Sequence, residues 1–303
     1  LGHHHQHMLE SNPLRNRMLR GTLNDRAISH GIGEGNAEFD HIRTSFHQGV
    51  HQGHRRCRQR ITRSNIGDQR RPLVLGRYPR WRTHVLFFAT NAVVGKILSF
   101  FIVIGVAATW ASTHRFGALN ILSWPFWAEA LMAFVVLDFV VWFQHFAMHR
   151  LPFLWRMHAV HHSDRDLDVT TALRFHPFEL IVSTFYKSAI VALLGVPLVV
   201  ALAFELWLNA NALFNHSNIR LPKKLDRMLR MFFVTPDMHL VHHSVIVAEQ
   251  KTNFGFALSI WDRLFSTYRA ESNVGADNQK IGLSQFEDQR PSAFVWSMKQ
   301  PLT

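Results

Sequence analysis

The sequence predicts an all-α integral membrane bundle of about four transmembrane helices, with a cytosolic helical cap carrying a histidine-rich dimetal site. Three observations predict it: long apolar runs between residues 85 and 214, an uneven spread of basic residues around them, and histidine clusters at helical spacing.

The chain begins with a different composition. Its 303 residues carry a formal net charge of +12, and the stretch before Thr83 holds fifteen arginines against six acids. The basic balance therefore belongs to a leader, residues 1–76, and not to a groove on a folded domain. Basic residues interleaved with aromatics on a folded module are lacking, which argues against a nucleic-acid partner. The leader has nine histidines and little hydrophobic periodicity, so it is expected to be unstructured. The single cysteine, Cys57, excludes an intrachain disulfide and any cysteine-based zinc or iron–sulfur site.

The first apolar run, Val85 to Ala111, has Lys96 as its one charge. A crossing needs about 20 mostly apolar residues for about 30 Å of hydrocarbon, so this run reads as one span. The second, Ile121 to Phe143, contains Glu129 and Asp138. The third, Leu180 to Phe214, is interrupted by Gly195 and Pro197. Proline ends or kinks a helix, so this run reads as two half-length helices in a hairpin, or one span and a shallow segment. Arginines 70, 71, 77, 80 and 82 precede the first run, and Arg150, Arg156, Arg165 and Arg174 follow the second; the connection between them holds only Arg115. Basic flanks mark the cytoplasmic side, which gives a multi-pass protein with its active site facing the cytoplasm.

Three histidine clusters occupy that side: HFAMH at 145–149, HAVHH at 158–162 and HLVHH at 239–243. Positions i, i+3 and i+4 share one face of a helix. His145 with His149, His158 with His161 and His162, and His239 with His242 and His243 are therefore candidate metal ligands. Eight imidazoles exceed the four that zinc usually takes and the six of octahedral iron, and suit two metals. Imidazole alone does not select the metal. Asp138, seven residues before His145, is placed to accept an imidazole N–H or to make a polar contact that packs helices together, and an acid within a span is costly and usually functional. Asn218 and Asp237 are further candidates for such a supporting role, while Trp261 and Asp262 are expected to lock the final helix.

These residues resemble the fatty acid hydroxylase superfamily, in its sterol desaturase group of non-haem di-iron proteins. The resemblance runs from about Arg77 to Tyr268 through LDFVVWFQHFAMHR, LWRMHAVHHSDRDLDVTTALRFHPFE, LFNHSNIRLP and TPDMHLVHHSVIVAEQKTNFGFALSIWDRLFSTY. One departure is Phe146, where the family commonly has arginine. The resemblance implies a catalytic domain over residues 77–270, a tail over 271–303, and two further histidines near the metals, His176 and His216. It also implies two iron ions, dioxygen as co-substrate, and hydroxylation or desaturation of a lipid-like substrate (a sterol, fatty acyl chain or related molecule). Electrons are expected from an external cytochrome b5-, ferredoxin- or reductase-type protein, because the sequence shows no such module or nucleotide loop of its own. A zinc-dependent hydrolase or isomerase using the same cage is the alternative, with zinc substitution possible in either case. A non-catalytic transporter fits less well, since no repeat beyond HxxHH is evident.

Overall fold

The computed structural model describes residue 73 and residues 77–101, 104–122 and 124–302. The basic leader falls outside the described residues apart from Leu73. The described chain is mostly helical and contains no strand, only isolated bridges between Phe233 and Leu258 and between Ser244 and Ile281.

Along the first apolar run the described residues form two helical stretches. Helix α1 (Arg77–Phe101) is followed by α2 (Ile104–Thr113). Helix α2 is rich in small residues, and a side chain at Gly105 would already touch Leu198 Cδ1 at 3.5 Å. That closeness lets α2 lie against the later hairpin. The four-residue α3 (Ala118–Ile121) leads to α4 (Phe126–Arg150), which is apolar nearly all round and begins after Pro125.

A corner at Leu151 and Pro152 starts α5 (Pro152–His162), with proline at the first helical position, where its missing N–H costs nothing. A 3₁₀ turn (Val169–Leu173) follows, capped by Asp168. The third run then forms α6 (Pro177–Leu194) and α7 (Leu198–Asn215). The break falls at Gly195 and Pro197, as the sequence suggests. Each helix has 18 residues, however, about 27 Å at 1.5 Å per residue, so neither is half-length. Gly195 takes the left-handed conformation at φ 71°, and a Cβ there would collide with Asn120 and the Phe116 carbonyl. Helices α4, α6 and α7 are long and apolar enough to cross a membrane. Their outward residues include Trp127, 69% exposed, and Leu206, 75% exposed, an apolar surface suited to lipid.

Inside, Ile104, Leu119, Leu137, Val141, Val191, Val200 and Phe204 bury one core between α2, α4, α6 and α7. The cap adds α8 (Lys223–Leu229), α9 (Pro236–His242), α10 (Val247–Gln250), α11 (Ile260–Leu264) and α12 (Phe294–Lys299). Residues 271–302, set apart as a tail in the sequence reading, pack onto this cap: Arg174 Nη2 donates to Ser297 Oγ at 2.8 Å, and Gln279 donates to the Leu240 carbonyl.

Candidate metal centre

Nine buried histidines gather into two groups. His145, His149, His158, His162 and His242 form one; His161, His216, His239 and His243 form the other. Within each group the ligand atoms lie within 4.8 Å of one another.

Helical geometry sorts them. Successive residues on a helix point about 100° apart at 3.6 residues per turn, so a HxxHH cluster cannot serve one ion with all three rings. HAVHH sends its i and i+4 members, His158 and His162, to the first group and His161 to the second. HLVHH does the converse: His239 and His243 join the second group and His242 the first. HFAMH adds two rings to the first group, and His216, where α7 ends, adds one to the second. The groups adjoin, with the His162 and His243 rings stacked at 4.4 Å.

Hydrogen bonds then orient the rings. A carbonyl or carboxylate can only accept, so the imidazole nitrogen facing it carries the proton. His145 Nδ1 donates to Phe254 O at 2.7 Å, His242 Nδ1 to Thr252 O at 2.7 Å, His216 Nδ1 to Ala212 O at 2.6 Å, and His158 Nδ1 to Glu179 Oε1 at 2.8 Å. Each of these rings therefore turns a bare Nε2 inward. His145 and His158 aim two such lone pairs at each other across 3.1 Å, an arrangement that repels unless a cation sits between the rings. In the second group, His161–His216, His216–His239 and His239–His243 approach Nε2 to Nε2 at 3.0, 3.1 and 3.2 Å. A metal–nitrogen bond of about 2.1 Å gives octahedral edges of about 3.0 Å and tetrahedral edges of about 3.4 Å, so these separations fit the edges of metal polyhedra. The buried Nε2 of His149 and His242 and both ring nitrogens of His162 have no hydrogen-bond partner. The described residues thus fit a pair of ions.

Burial, reinforced by neighbouring imidazoles, holds His161, His162, His239 and His243 well below the usual imidazole range. Burial likewise lowers His216 to about 4 and His242 to about 3. All six are neutral at pH 7, the form that binds metal. Aromatic rings wall the site: Phe175 stacks on His161 at 4.6 Å, Trp155 lies 4.9 Å from His149, and Phe254 lies 5.3 Å from His149.

The TNFG loop supports this geometry residue by residue. Thr252 and Phe254 supply the carbonyls for His242 and His145. Asn253, left-handed at φ 55°, donates to Met238 O at 2.9 Å and accepts from Arg269 N at 2.8 Å. A side chain at Gly255 would meet Leu258 O and Val234 Cγ2 at 2.8 Å. Asp262 holds the loop, accepting from Phe254 N and Gly255 N at 2.8 Å, Thr267 Oγ1 at 2.7 Å and Trp142 Nε1 at 3.1 Å.

Some expected residues lie elsewhere. His176 joins neither group: its Nδ1 accepts from Phe178 N, capping α6, and its Nε2 donates to Met298 O at 3.2 Å. Asp138 touches no imidazole; its Oδ2 accepts from Trp261 Nε1 at 2.7 Å and Leu258 N at 3.3 Å, fastening α4 to α11. Asp237 sits in the first turn of α9, where an acid complements the helix dipole, and Asn218 lies half-buried beyond the end of α7. At the departure from the family pattern, Phe146 stacks on Trp142 at 5.5 Å and lies beneath Arg150 at 4.9 Å. Glu179 was missed as a partner of His158. Its signal was an acid two residues after a helix-starting proline, on the polar side of an apolar run.

The fatty acid hydroxylase family model matches residues 130–267, which include all nine histidines. Ornithine lipid hydroxylase OlsE of Rhizobium tropici is 35% identical over 153 residues, 48% of this chain and 43% of that protein. Alkylglycerol monooxygenase of Danio rerio is 33% identical over 158 residues, 50% of the chain and 32% of that protein. The Homo sapiens alkylglycerol monooxygenase is 29% identical over 146 residues, 46% of the chain and 30% of that protein. The chain thus spans less than half the length of these curated relatives. No solved structure gives a significant match.

Proposed function

We propose, from the match of residues 130–267 to the fatty acid hydroxylase family model, that the chain is a membrane-bound non-haem di-iron oxygenase that hydroxylates or desaturates a lipid-like substrate. The observation that carries this reading is the division of nine buried, inward-facing imidazoles into groups of five and four.

Bound iron would supply the chemistry that neither protein nor lipid has, reductive use of dioxygen against an unactivated C–H bond. Hydroxylation places one oxygen atom in the substrate and releases the other as water, consuming two electrons and two protons. We assign those electrons to a separate protein. His145, His149, His158, His162 and His242 would hold one ion, and His161, His216, His239 and His243 the other. Glu179 and the Thr252, Phe254 and Ala212 carbonyls fix the tautomers of four ligands. Phe175, Trp155 and Phe254 exclude water, which protects a reactive site from leakage. Helices α4, α6 and α7 would cross the bilayer with the histidines at the cytoplasmic end.

The test combines metal analysis of protein purified from its membrane with oxygen-uptake and lipid mass measurements. About two irons per chain, and a lipid product heavier by one oxygen or lighter by two hydrogens, are expected. Zinc with turnover in the absence of dioxygen replaces this reading with the hydrolase or isomerase alternative.

A further inference from the structure

Part of the cap reaches back along the flanks of two candidate spans. Residues 230–234 run antiparallel to residues 257–259: Val234 N donates to Ala257 O and Ser259 N to Phe232 O, both at 2.9 Å. These segments and α11 pack on α4 and α7 well short of the helix ends that carry histidines. Phe265 stacks on Trp142 at 4.7 Å, Trp261 lies 5.0 Å from Phe139, and Phe233 lies 6.1 Å from Trp207 of α7. At 1.5 Å per residue, about 12 Å of helix separates Trp142 from Arg150, and likewise Trp207 from Asn215.

Three features suit this part of the cap to lipid. Its outward side chains are apolar: Met228, Met231, Phe232 (63% exposed), Ile260, Leu264 (67% exposed) and Phe265. Through Phe139, which lies 5.9 Å from Phe265 and 6.4 Å from Phe143, they continue the exposed apolar surface of α4. The backbone beneath them is satisfied from within the protein. The N–H groups of Met231, Phe232, Phe233, Ser259 and Phe265 donate to protein carbonyls, and Leu258 N donates to the Asp138 carboxylate at 3.3 Å. Unpaired backbone groups are tolerated where water reaches them but not in hydrocarbon, and a loop in water has no need of a buried acid set against one N–H. The third feature is charge. Helix α8 leads from the end of α7 into this face with Lys223, Lys224 and Arg227 exposed, while its one acid, Asp226, is buried and paired with Arg230. Lys224 stands one helical turn before Met228, so cation and apolar side chain share a face.

We propose that residues 228–233 and α11 form a foot by which the cap enters the leaflet at the histidine end, with Lys223, Lys224 and Arg227 on the headgroups of anionic lipid. Buried apolar area and attraction of basic residues to anionic headgroups are the two contributions to such interfacial binding. The basic rim and the unbroken apolar surface shared with α4 favour lipid over a protein partner or a second copy. Asp262 on α11 also anchors the TNFG loop, so the foot ties the carbonyls that orient His145 and His242 to the membrane surface. The foot requires α4 and α7 to span the bilayer, but neither the metal nor the reaction.

The experiment uses the iron-loaded full chain in nanodiscs of phosphatidylcholine, with and without phosphatidylglycerol. In a Cys57→Ser background, Phe232→Cys and Leu264→Cys carry a nitroxide on the foot, Leu206→Cys one on the apolar face of α7, and Lys280→Cys one on the cap beside the Ser244–Ile281 bridge. Dissolved oxygen, which partitions into hydrocarbon, is expected to relax the foot and Leu206 labels more strongly than a water-soluble nickel chelate does, with the reverse at Lys280. The triple variant K223Q/K224Q/R227Q should lower retention of phosphatidylglycerol relative to phosphatidylcholine about tenfold in native mass spectra, with iron content and melting temperature unchanged. Foot labels reached by nickel while oxygen still reaches Leu206 overturn the foot alone and leave this face to a protein partner. Nickel at Leu206 as well removes the spans on which the foot depends. Foot labels shielded from both reagents, in particles with the mass of two chains, give the face to a second copy and overturn the assignment equally. Phosphatidylglycerol retained undiminished by the triple variant overturns the anionic headgroups.

Discussion

Glu179 Oε1 lies 2.8 Å from His158 Nδ1, and both residues are buried. The carboxylate fixes which imidazole nitrogen is bare and raises its basicity. Glu179→Leu removes this, and affinity for the first ion is expected to fall by about 10–100-fold, the usual effect of losing such a partner. Glu179→Gln, which still offers a carbonyl acceptor, should lose less. Iron titration of metal-depleted protein checks both, and equal affinity in all three proteins would remove Glu179 from the centre.

That pairing shows what was legible in the sequence and what was not. Eight candidate ligands stand out because the i, i+3, i+4 spacing is written in HFAMH, HAVHH and HLVHH. Their division between two groups follows from the 100° turn between neighbouring residues, which sets His161 against His162 and His242 against His243. His216 and His176 looked alike, since each is a lone histidine beside an apolar helix. The structure separates them because one ends α7 facing inward and the other begins α6, where its Nδ1 serves as a cap. Asp138 shares a helix face with His145, yet a tryptophan 123 residues away reaches it instead; no local pattern encodes such a pairing. The apolar runs that become α4, α6 and α7 are legible as long helices, because a crossing needs about 20 mostly apolar residues in a row.

Asp262 accepts four hydrogen bonds at 0% exposure, three of them shared between the TNFG loop and Trp142. In Asp262→Asn one acceptor becomes a donor that faces existing N–H or O–H groups. A buried donor left unsatisfied costs about 1–3 kcal/mol, so the melting temperature should drop by several degrees. The loosened Phe254 carbonyl should also cost iron affinity. Thermal melts and iron titration of the variant report both effects, and a variant that melts and binds like the wild type would show the loop to be held by other means.

Removal of a ligand distinguishes the two groups. His216→Ala takes one of four rings from the second group and touches none of the first. Iron is expected to fall from about two to about one per chain, with turnover lost and membrane insertion unchanged, because ligand loss weakens one site of a tuned polyhedron. His161→Ala should behave alike, and His242→Ala should instead empty the first site. Elemental analysis with Mössbauer spectra on each variant resolves which site empties. Parallel loss of both ions in every variant would mean that the groups fill as one cooperative unit.

The last prediction concerns acid. Arg80 Nε lies 2.7 Å from Asp164 Oδ1 with both side chains nearly inaccessible, and its Nη1 lies 2.5 Å from Asp168 Oδ2. Burial alone would raise the Asp164 carboxyl, but Arg80, followed by His84, outweighs it and holds the group well below the usual carboxylate range. Asp168 is lowered in the same way, its burial outweighed chiefly by Arg80. A carboxyl depressed in the folded state contributes stability that is fully present above its unfolded pKa of about 3.9. That contribution is lost as pH falls through the folded value. Arg80→Met leaves the buried Asp164 carboxylate and the half-buried Asp168 carboxylate without their shared cation and should cost about 3–5 kcal/mol at neutral pH. It should also flatten the acid limb, because the variant has little depressed-carboxylate stability left to lose below about pH 4. The histidine groups are common to both proteins, so the difference between wild-type and variant melting curves isolates the Arg80 network. A difference that stays constant from pH 7 to pH 3 would show that these carboxylates do not govern the acid limb.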